Sequence, residues 1–116
     1  MNEKKIIHKD LAAGRWLTIP FLEQMAHVGG DVERTIVWKK KGNLEYSDQA
    51  FDRVLELLDL TINDPKNTGG RRRELCRVRE VLVDYIMYNN QYNSSDEFWK
   101  RYFFDFAYAA AIQRGR

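Results

Sequence analysis

The chain has 116 residues, of which 44% are hydrophobic and 31% charged, and its formal net charge is +2. This composition is that of a soluble globular protein: it is too apolar for disorder, and no apolar run approaches the roughly 20 residues of a membrane-spanning helix. So small a net charge does not by itself indicate a nucleic-acid binder, and any such function must rest on where the cations cluster.

Two prolines and seven glycines among many Leu, Glu, Arg and Lys residues favour helices over a many-stranded β fold. We expect residues 1–16 to form a polar, flexible or loosely docked lead-in, and residues 17–116 to form one helical domain. The first residues lack the apolar core of a signal peptide, and the lone Cys76 cannot form an internal disulfide. Both features predict a cytoplasmic protein with no membrane partner.

The first predicted helix covers about residues 19–40. Apolar or small side chains recur there at steps of three and four residues, at positions 22, 25, 29, 32 and 36. This spacing predicts a buried stripe from which Gln24 and Asp31 point away. Gly29 and Gly30 each cost a helix interior about 1 kcal/mol relative to alanine. We therefore expect a close helix crossing at Gly29, with a ligand that approaches the backbone as the alternative.

Three further helices follow in the predicted order. The second covers about residues 44–63 and ends before Asp64-Pro65, because a residue that precedes proline avoids helical backbone angles. A polar loop of turn-forming residues leads to the third helix, over about residues 71–90. Ser94 and Glu97 have capping-box spacing and open the fourth helix. Four such helices with short connections predict an all-α, antiparallel up-down-up-down four-helix bundle.

No set of residues converges on catalytic or metal-binding chemistry. A dinuclear metal site in a bundle requires paired Glu-x-x-His motifs, whereas Gln24 stands three residues before His27 and the inward stripes carry no carboxylate. Cys76 lies among arginines at the start of the third helix, which can lower a thiol pKa, but a buried core cysteine is the preferred interpretation. We therefore predict no enzyme activity, cofactor or metal, and identify no small-molecule substrate.

Cations gather at one end of the predicted bundle. Arg71, Arg72 and Arg73 follow Gly69-Gly70 at the start of the third helix, where cations oppose the helix dipole. In an up-down-up-down bundle, the same end collects the start of the first helix and the end of the fourth. The cations predicted at this end, named here the basic pole, are Arg15, Lys66, Arg71, Arg72, Arg73, Arg114 and Arg116. The basic pole would hold phosphates of RNA or DNA, or another polyanion; a solvated end that keeps the protein soluble is the alternative.

The fourth predicted helix carries more aromatic residues than one buried stripe can hold. Phe104 and Tyr108 are four residues apart and lie toward its back. Exposed aromatic patches are more often oligomer interfaces than cofactor pockets, so Phe104 and Tyr108 predict a homo-oligomer. The alternative to polyanion binding is accordingly a protein–protein adaptor or assembly subunit with no nucleic-acid role.

Three segments carry a family resemblance: EQMAHVGGDVERTIVWKKKGN (23–43), AFDRVLELLDLTINDPKN (50–67) and RELCRVREVLVDY (73–85). They resemble a prokaryotic family of small four-helix-bundle proteins to which no activity is assigned. In length and helix layout the chain is also similar to the accessory variability proteins of diversity-generating retroelements and to the proteins encoded in intervening sequences of 23S ribosomal RNA genes. Members of those groups form ring-like homo-oligomers, and the accessory proteins bind nucleic acid through a basic surface. The resemblance implies an oligomer of that kind and carries no catalytic residues across.

Overall fold

The structure, a computed structural model, describes residues 14–115. A short 3₁₀ helix, Arg15–Thr18, precedes four α-helices, which are α1 (Phe21–Lys40), α2 (Leu44–Ile62), α3 (Gly70–Met87) and α4 (Asp96–Arg114). The predicted all-α four-helix bundle is confirmed, and residues 14–115 contain no strand. None of the described helices is both long enough and apolar enough to cross a bilayer.

Side-chain caps and left-handed residues set the helix ends. The Ser95 side chain accepts a hydrogen bond from the Phe98 amide at 3.1 Å, so α4 is capped one residue later than predicted. The largest boundary error is at the end of α3, which stops at Met87 rather than near residue 90. There Asn90 adopts a φ of 54°, and its amide donates to the Asp84 carbonyl at 3.2 Å, which closes the last turn.

Contacts between neighbouring helices join the beginning of one helix to the end of the other. At one end of the bundle Lys40 forms an ion pair with Asp96 at 3.3 Å, and at the other end Arg114 pairs with Glu23 at 3.6 Å. Hydrogen bonds join the other neighbouring helices beginning to end in the same way. They run from Ser47 to Thr35, from Arg72 to Asp64 and from Tyr85 to Asp96. The starts of α1 and α3 therefore lie at the same end of the bundle as the ends of α2 and α4.

α1 is the central helix, because it packs extensively against both α2 and α4, whereas α3 packs mainly against α2. Two neighbours require a wider buried stripe on α1 than one neighbour would. Gln24 and Asp31 are accordingly buried, and the prediction that they point away from the core is wrong. Each is buried with a partner: Gln24 joins a hydrogen-bond network, and Asp31 pairs with Arg34 at 3.1 Å.

Gly29 marks the closest approach of α1 and α4. A Cβ atom added at Gly29 would lie 2.6 Å from Cβ of Phe103, a distance that real side chains do not adopt. The predicted close helix crossing is therefore confirmed. Tight packing of Phe103 on the glycine offsets the low helix propensity of this position.

The packed domain begins earlier in the chain than predicted, because it includes Trp16. Residues 1–13 of the predicted lead-in lie outside the described residues, but Trp16 is only 1% exposed. Its Nε1 donates to Oγ1 of Thr61 at 3.0 Å. A domain boundary at residue 17 is therefore too late, because the bundle core already includes Trp16.

Cys76 is exposed, so the prediction of a buried core cysteine is wrong. The reason lies in how α3 packs: with α2 as its main neighbour, it buries only a narrow stripe made of Leu75, Val78 and Leu82. Cys76 lies beside that stripe.

Candidate functional site

The basic pole is only partly a free surface. Arg116 lies outside the described residues, and the other members lie at the end of the bundle that holds the starts of α1 and α3. Arg114 is ion-paired with Glu23 at 3.6 Å. The free positive charge of the basic pole therefore depends on whether each remaining cation is paired with an acid.

Lys66 and Arg72 are bound to the buried Asp64. Lys66 Nζ donates to Oδ2 of Asp64 and, at 3.2 Å, to the Leu17 carbonyl, while Nη2 of Arg72 donates to the Asp64 carbonyl at 3.2 Å. Burial raises the pKa of Asp64, but hydrogen bonds from Lys66 and Gln24 outweigh it, and the pKa lies below its ordinary value. Asp64 is thus a carboxylate at neutral pH, and Lys66 neutralises its charge.

A buried polar network surrounds Asp64. The Gln24 side chain donates from Nε2 to Oδ2 of Asp64 at 2.8 Å and to the Trp16 carbonyl at 3.1 Å. Asn67 donates from Nδ2 to Oε1 of Gln24 at 3.2 Å and to the Thr61 carbonyl at 2.9 Å. The network joins the 3₁₀ helix, α1, α2 and the following loop. Residue spacing did not predict this network, because Gln24 lies outside the apolar stripe predicted for α1.

Three members of the basic pole are exposed and have no acidic partner within residues 14–115: Arg15, Arg71 and Arg73. The guanidinium of Arg71 lies 4.1 Å from the centroid of the Phe21 ring, which holds it by a cation–π contact and leaves its charge available. Gly69 provides no side-chain cap to α3, and the first turn contains no acid. The first amides of α3 therefore remain available to an anion.

The back of α4 is exposed as predicted. Phe104 is 62% exposed and Tyr108 59%, and their rings lie 6.1 Å apart and nearly parallel. Ile112, one turn further along, is exposed as well. These three residues are called the α4 aromatic face. Exposed apolar clusters are common at protein–protein interfaces.

A groove of about 620 Å³ between α1 and α4 lies next to this face. Small residues line it, namely Ala26, Gly29, Gly30 and Ala107. Charged residues of both signs line it as well, namely Glu33, Glu97, Lys100 and Arg101. Phe104 belongs to both the α4 aromatic face and the groove, so the two form one continuous surface.

A second cleft, between α3 and α4, was not predicted from the sequence. It encloses about 410 Å³ and is lined by aromatic residues of α4 and of the connection before it, with Arg77 from α3. Tyr92 of the connection and Phe98 of α4 converge on this cleft. Their convergence depends on how α3 and α4 pack, which residue spacing alone does not determine.

No group of three or more His, Cys, Asp or Glu side chains within residues 14–115 is arranged to hold a metal ion. No protein-family model, curated protein or solved structure matches the chain. The resemblance to the prokaryotic helical family and to the two other bundle groups therefore stays a prediction.

Proposed function

We propose that the protein is a non-catalytic assembly protein that associates with a second copy of itself through the α4 aromatic face and the adjoining α1–α4 groove. The exposure of Phe104 and Tyr108, stacked on each other and not on the core, carries this proposal. Association would remove these rings from water, which is favourable by about 25 cal/mol per Å² of apolar surface.

The surface has the properties of a self-complementary interface. In a two-fold symmetric pair the same patch faces itself, so projections must fit depressions and any charges must meet the opposite sign. The rings of Phe104 and Tyr108 project, while Gly30 and Ala107 leave room in the groove. The acids and bases that line the groove provide opposite charges for the other copy.

Substitution of the two rings tests this proposal. The double variant Phe104→Ser with Tyr108→Ser should remain helical by circular dichroism and show a smaller mass by light scattering than the wild type. The matched control is Leu44→Ser at the start of α2. Leu44 is 62% exposed but belongs neither to the α4 aromatic face nor to the groove. An unchanged mass for the double variant, or an equal loss of mass in the control, would contradict the proposal.

A second candidate function is binding of RNA, DNA or another polyanion at the basic pole. The observation that favours it is the uncapped start of α3 beside the exposed Arg71 and Arg73. Two other cations of the pole support it less, because Lys66 and Arg114 are paired with acids. Phosphate contacts made only by exposed arginines would be independent of base sequence.

Charge reversal tests this second candidate. Arg71→Glu with Arg73→Glu should abolish salt-sensitive binding of a fluorescent oligonucleotide, and the wild-type affinity should fall steeply with salt. Lys39→Glu with Lys41→Glu, at the opposite end of the bundle, changes the net charge by the same amount and should retain wild-type binding. Absence of binding by the wild type at low salt rules out this function.

A further inference from the structure

The cleft between α3 and α4 has the dimensions of a small-molecule site. Its volume of about 410 Å³ falls within the range of roughly 300–1,000 Å³ that is usual for ligand pockets. The residues that matter for recognition are Arg77, Tyr92, Phe98, Trp99 and Tyr102. None of them belongs to the basic pole or to the α4 aromatic face, and of the five only Trp99 also lines the α1–α4 groove.

One wall of the cleft is an ordered aromatic surface. The rings of Phe98 and Tyr102 lie 6.2 Å apart at an angle of 22°, and the Trp99 ring meets Tyr102 nearly edge-on at 5.6 Å. The Tyr102 hydroxyl donates to Oε2 of Glu74 at 2.7 Å, which fixes the ring across the cleft. Burial and the Glu74 carboxylate both raise the pKa of Tyr102, so its hydroxyl stays protonated and holds this bond. A flat ring can stack on such a wall.

One residue that lines the cleft, Trp99, has a buried donor with no acceptor among the described residues. Trp99 is 2% exposed, and its Nε1 forms no hydrogen bond within residues 14–115, whereas Nε1 of the equally buried Trp16 donates to Thr61. An N–H group buried without an acceptor costs about 1–3 kcal/mol. An acceptor atom brought in by a ligand would remove this cost.

Within residues 14–115, the cleft is lined by one carboxylate, Glu74, and one cation, Arg77. The Tyr102 hydroxyl holds the carboxylate, so the guanidinium is the group that would meet an anionic ligand. Glu74 and Glu80 each accept a hydrogen bond from a tyrosine hydroxyl, Tyr102 and Tyr92 respectively. Arg77 is the one cation among the residues that line the described cleft. A guanidinium binds carboxylate and phosphate oxygens through two parallel hydrogen bonds.

We infer that the α3–α4 cleft binds a planar aromatic anion. Its ring packs against Phe98 and Tyr102, an acceptor atom receives the Trp99 indole N–H, and its carboxylate or phosphate meets Arg77. An aromatic carboxylate and a nucleoside monophosphate share this chemistry, and the two are distinguished by experiment.

NMR signals of the tryptophan indole N–H groups test the inference directly. The chain contains three tryptophans, so ¹⁵N-labelled protein gives three indole signals, and Trp99→Phe identifies that of Trp99. We expect titration with indole-3-carboxylate or with adenosine monophosphate to shift the Trp99 signal saturably while the Trp16 and Trp38 signals stay in place. Neutral indole and adenosine should bind at least tenfold more weakly than the corresponding anion.

Two arginines of α3 provide the matched variants. Arg77→Ala should weaken binding of the anion at least tenfold, whereas Arg79→Ala, which neither lines the cleft nor belongs to the basic pole, should leave it unchanged. Phe98→Ala removes part of the aromatic wall and should weaken binding of the anions and of neutral indole and adenosine to a similar degree. The inference is overturned if neither anion shifts the Trp99 signal up to about 10 mM, well above the dissociation constants of even weak specific ligands. Equal affinity of Arg77→Ala and the wild type would overturn it too.

Discussion

Gln24 of α1 donates a hydrogen bond to Asp64, which lies 2.8 Å away in space and 40 residues later in the chain. Both side chains are buried, and the same carboxylate holds Lys66. A buried carboxylate that loses its partners is costly, so this contact fixes the loop after α2 against the start of α1. Lys66, which the sequence assigns to a polyanion-binding pole, is therefore part of the packed structure.

We predict that Asp64→Asn lowers the free energy of unfolding at pH 7 by about 1–3 kcal/mol, because the neutral amide loses the ion pair with Lys66 and presents an N–H to Gln24 in some of its orientations. Urea titration measures the change. Asp59→Asn is the control: Asp59 is paired with Arg79, but its side chain is 46% exposed, so the loss should be within about 1 kcal/mol. Equal losses in the two variants would contradict the structural role of Asp64.

The pH dependence of the same variant follows from the lowered pKa of Asp64. A carboxylate with a lowered pKa in the folded state stabilises the protein fully above its unfolded pKa of about 3.9. This contribution is lost as the pH falls through the folded pKa. The stability difference between wild type and Asp64→Asn should therefore be constant from pH 7 to about pH 5 and shrink in more acidic solution. A difference that persists undiminished at pH 2 contradicts the assignment.

Gly29 and Gly30 should respond in opposite ways to alanine. Alanine is favoured in a helix interior by about 1 kcal/mol, but the new Cβ at position 29 would meet Phe103 Cβ at 2.6 Å. We expect Gly29→Ala to destabilise by about 1–3 kcal/mol, as overpacked cores do. At Gly30 the nearest atom is Nη1 of the flexible Arg34 at 3.8 Å, so Gly30→Ala should stabilise by about 0.5–1 kcal/mol. Thermal unfolding at one protein concentration checks both, and a Gly29→Ala variant as stable as the wild type or more stable would refute the crossing.

Trp16→Ala should destabilise the fold by about 3–5 kcal/mol, because it empties a core position and removes the donor to Thr61. Arg15→Ala, its exposed neighbour, should change stability by no more than about 0.5 kcal/mol. Chemical denaturation of the two variants compares them. A small loss in Trp16→Ala would restore the domain boundary at residue 17.

The exposure of Cys76 predicts that the folded protein reacts with a thiol reagent without denaturant. The labelled fraction should reach one thiol per chain at a rate close to that of the protein in urea. A thiol that becomes reactive only upon unfolding would place Cys76 in the core after all. Cys76→Ser, which should not react, confirms that the signal comes from this residue.

Much of the fold follows from residue spacing, because apolar repeats, capping residues and turn formers act over a few residues. Gly42, with a φ of 81°, follows the end of α1, Asp64-Pro65 follows the end of α2, and Gly29 indicated a close crossing correctly. The errors concern how many neighbours each helix has. α1 packs against two helices and buries Gln24 and Asp31, while α3 packs mainly against one and exposes Cys76.

The candidate sites were predictable only in part, for a related physical reason. The exposure of Phe104 and Tyr108 follows from their position on one helix. The partners of Lys66 and the cleft beside Trp99 depend on residues from separate helices that meet only in the folded bundle. Charge counted along the chain therefore overstated the free charge of the basic pole.

Sedimentation equilibrium of the wild-type protein at increasing concentration tests the central claim most directly. The chain has a mass of 13.8 kDa, and association through the α4 aromatic face predicts a mass of at least twice that value, which the Phe104→Ser, Tyr108→Ser variant should reduce to a single chain. A wild-type mass of 13.8 kDa at every concentration up to the highest attainable would contradict the account.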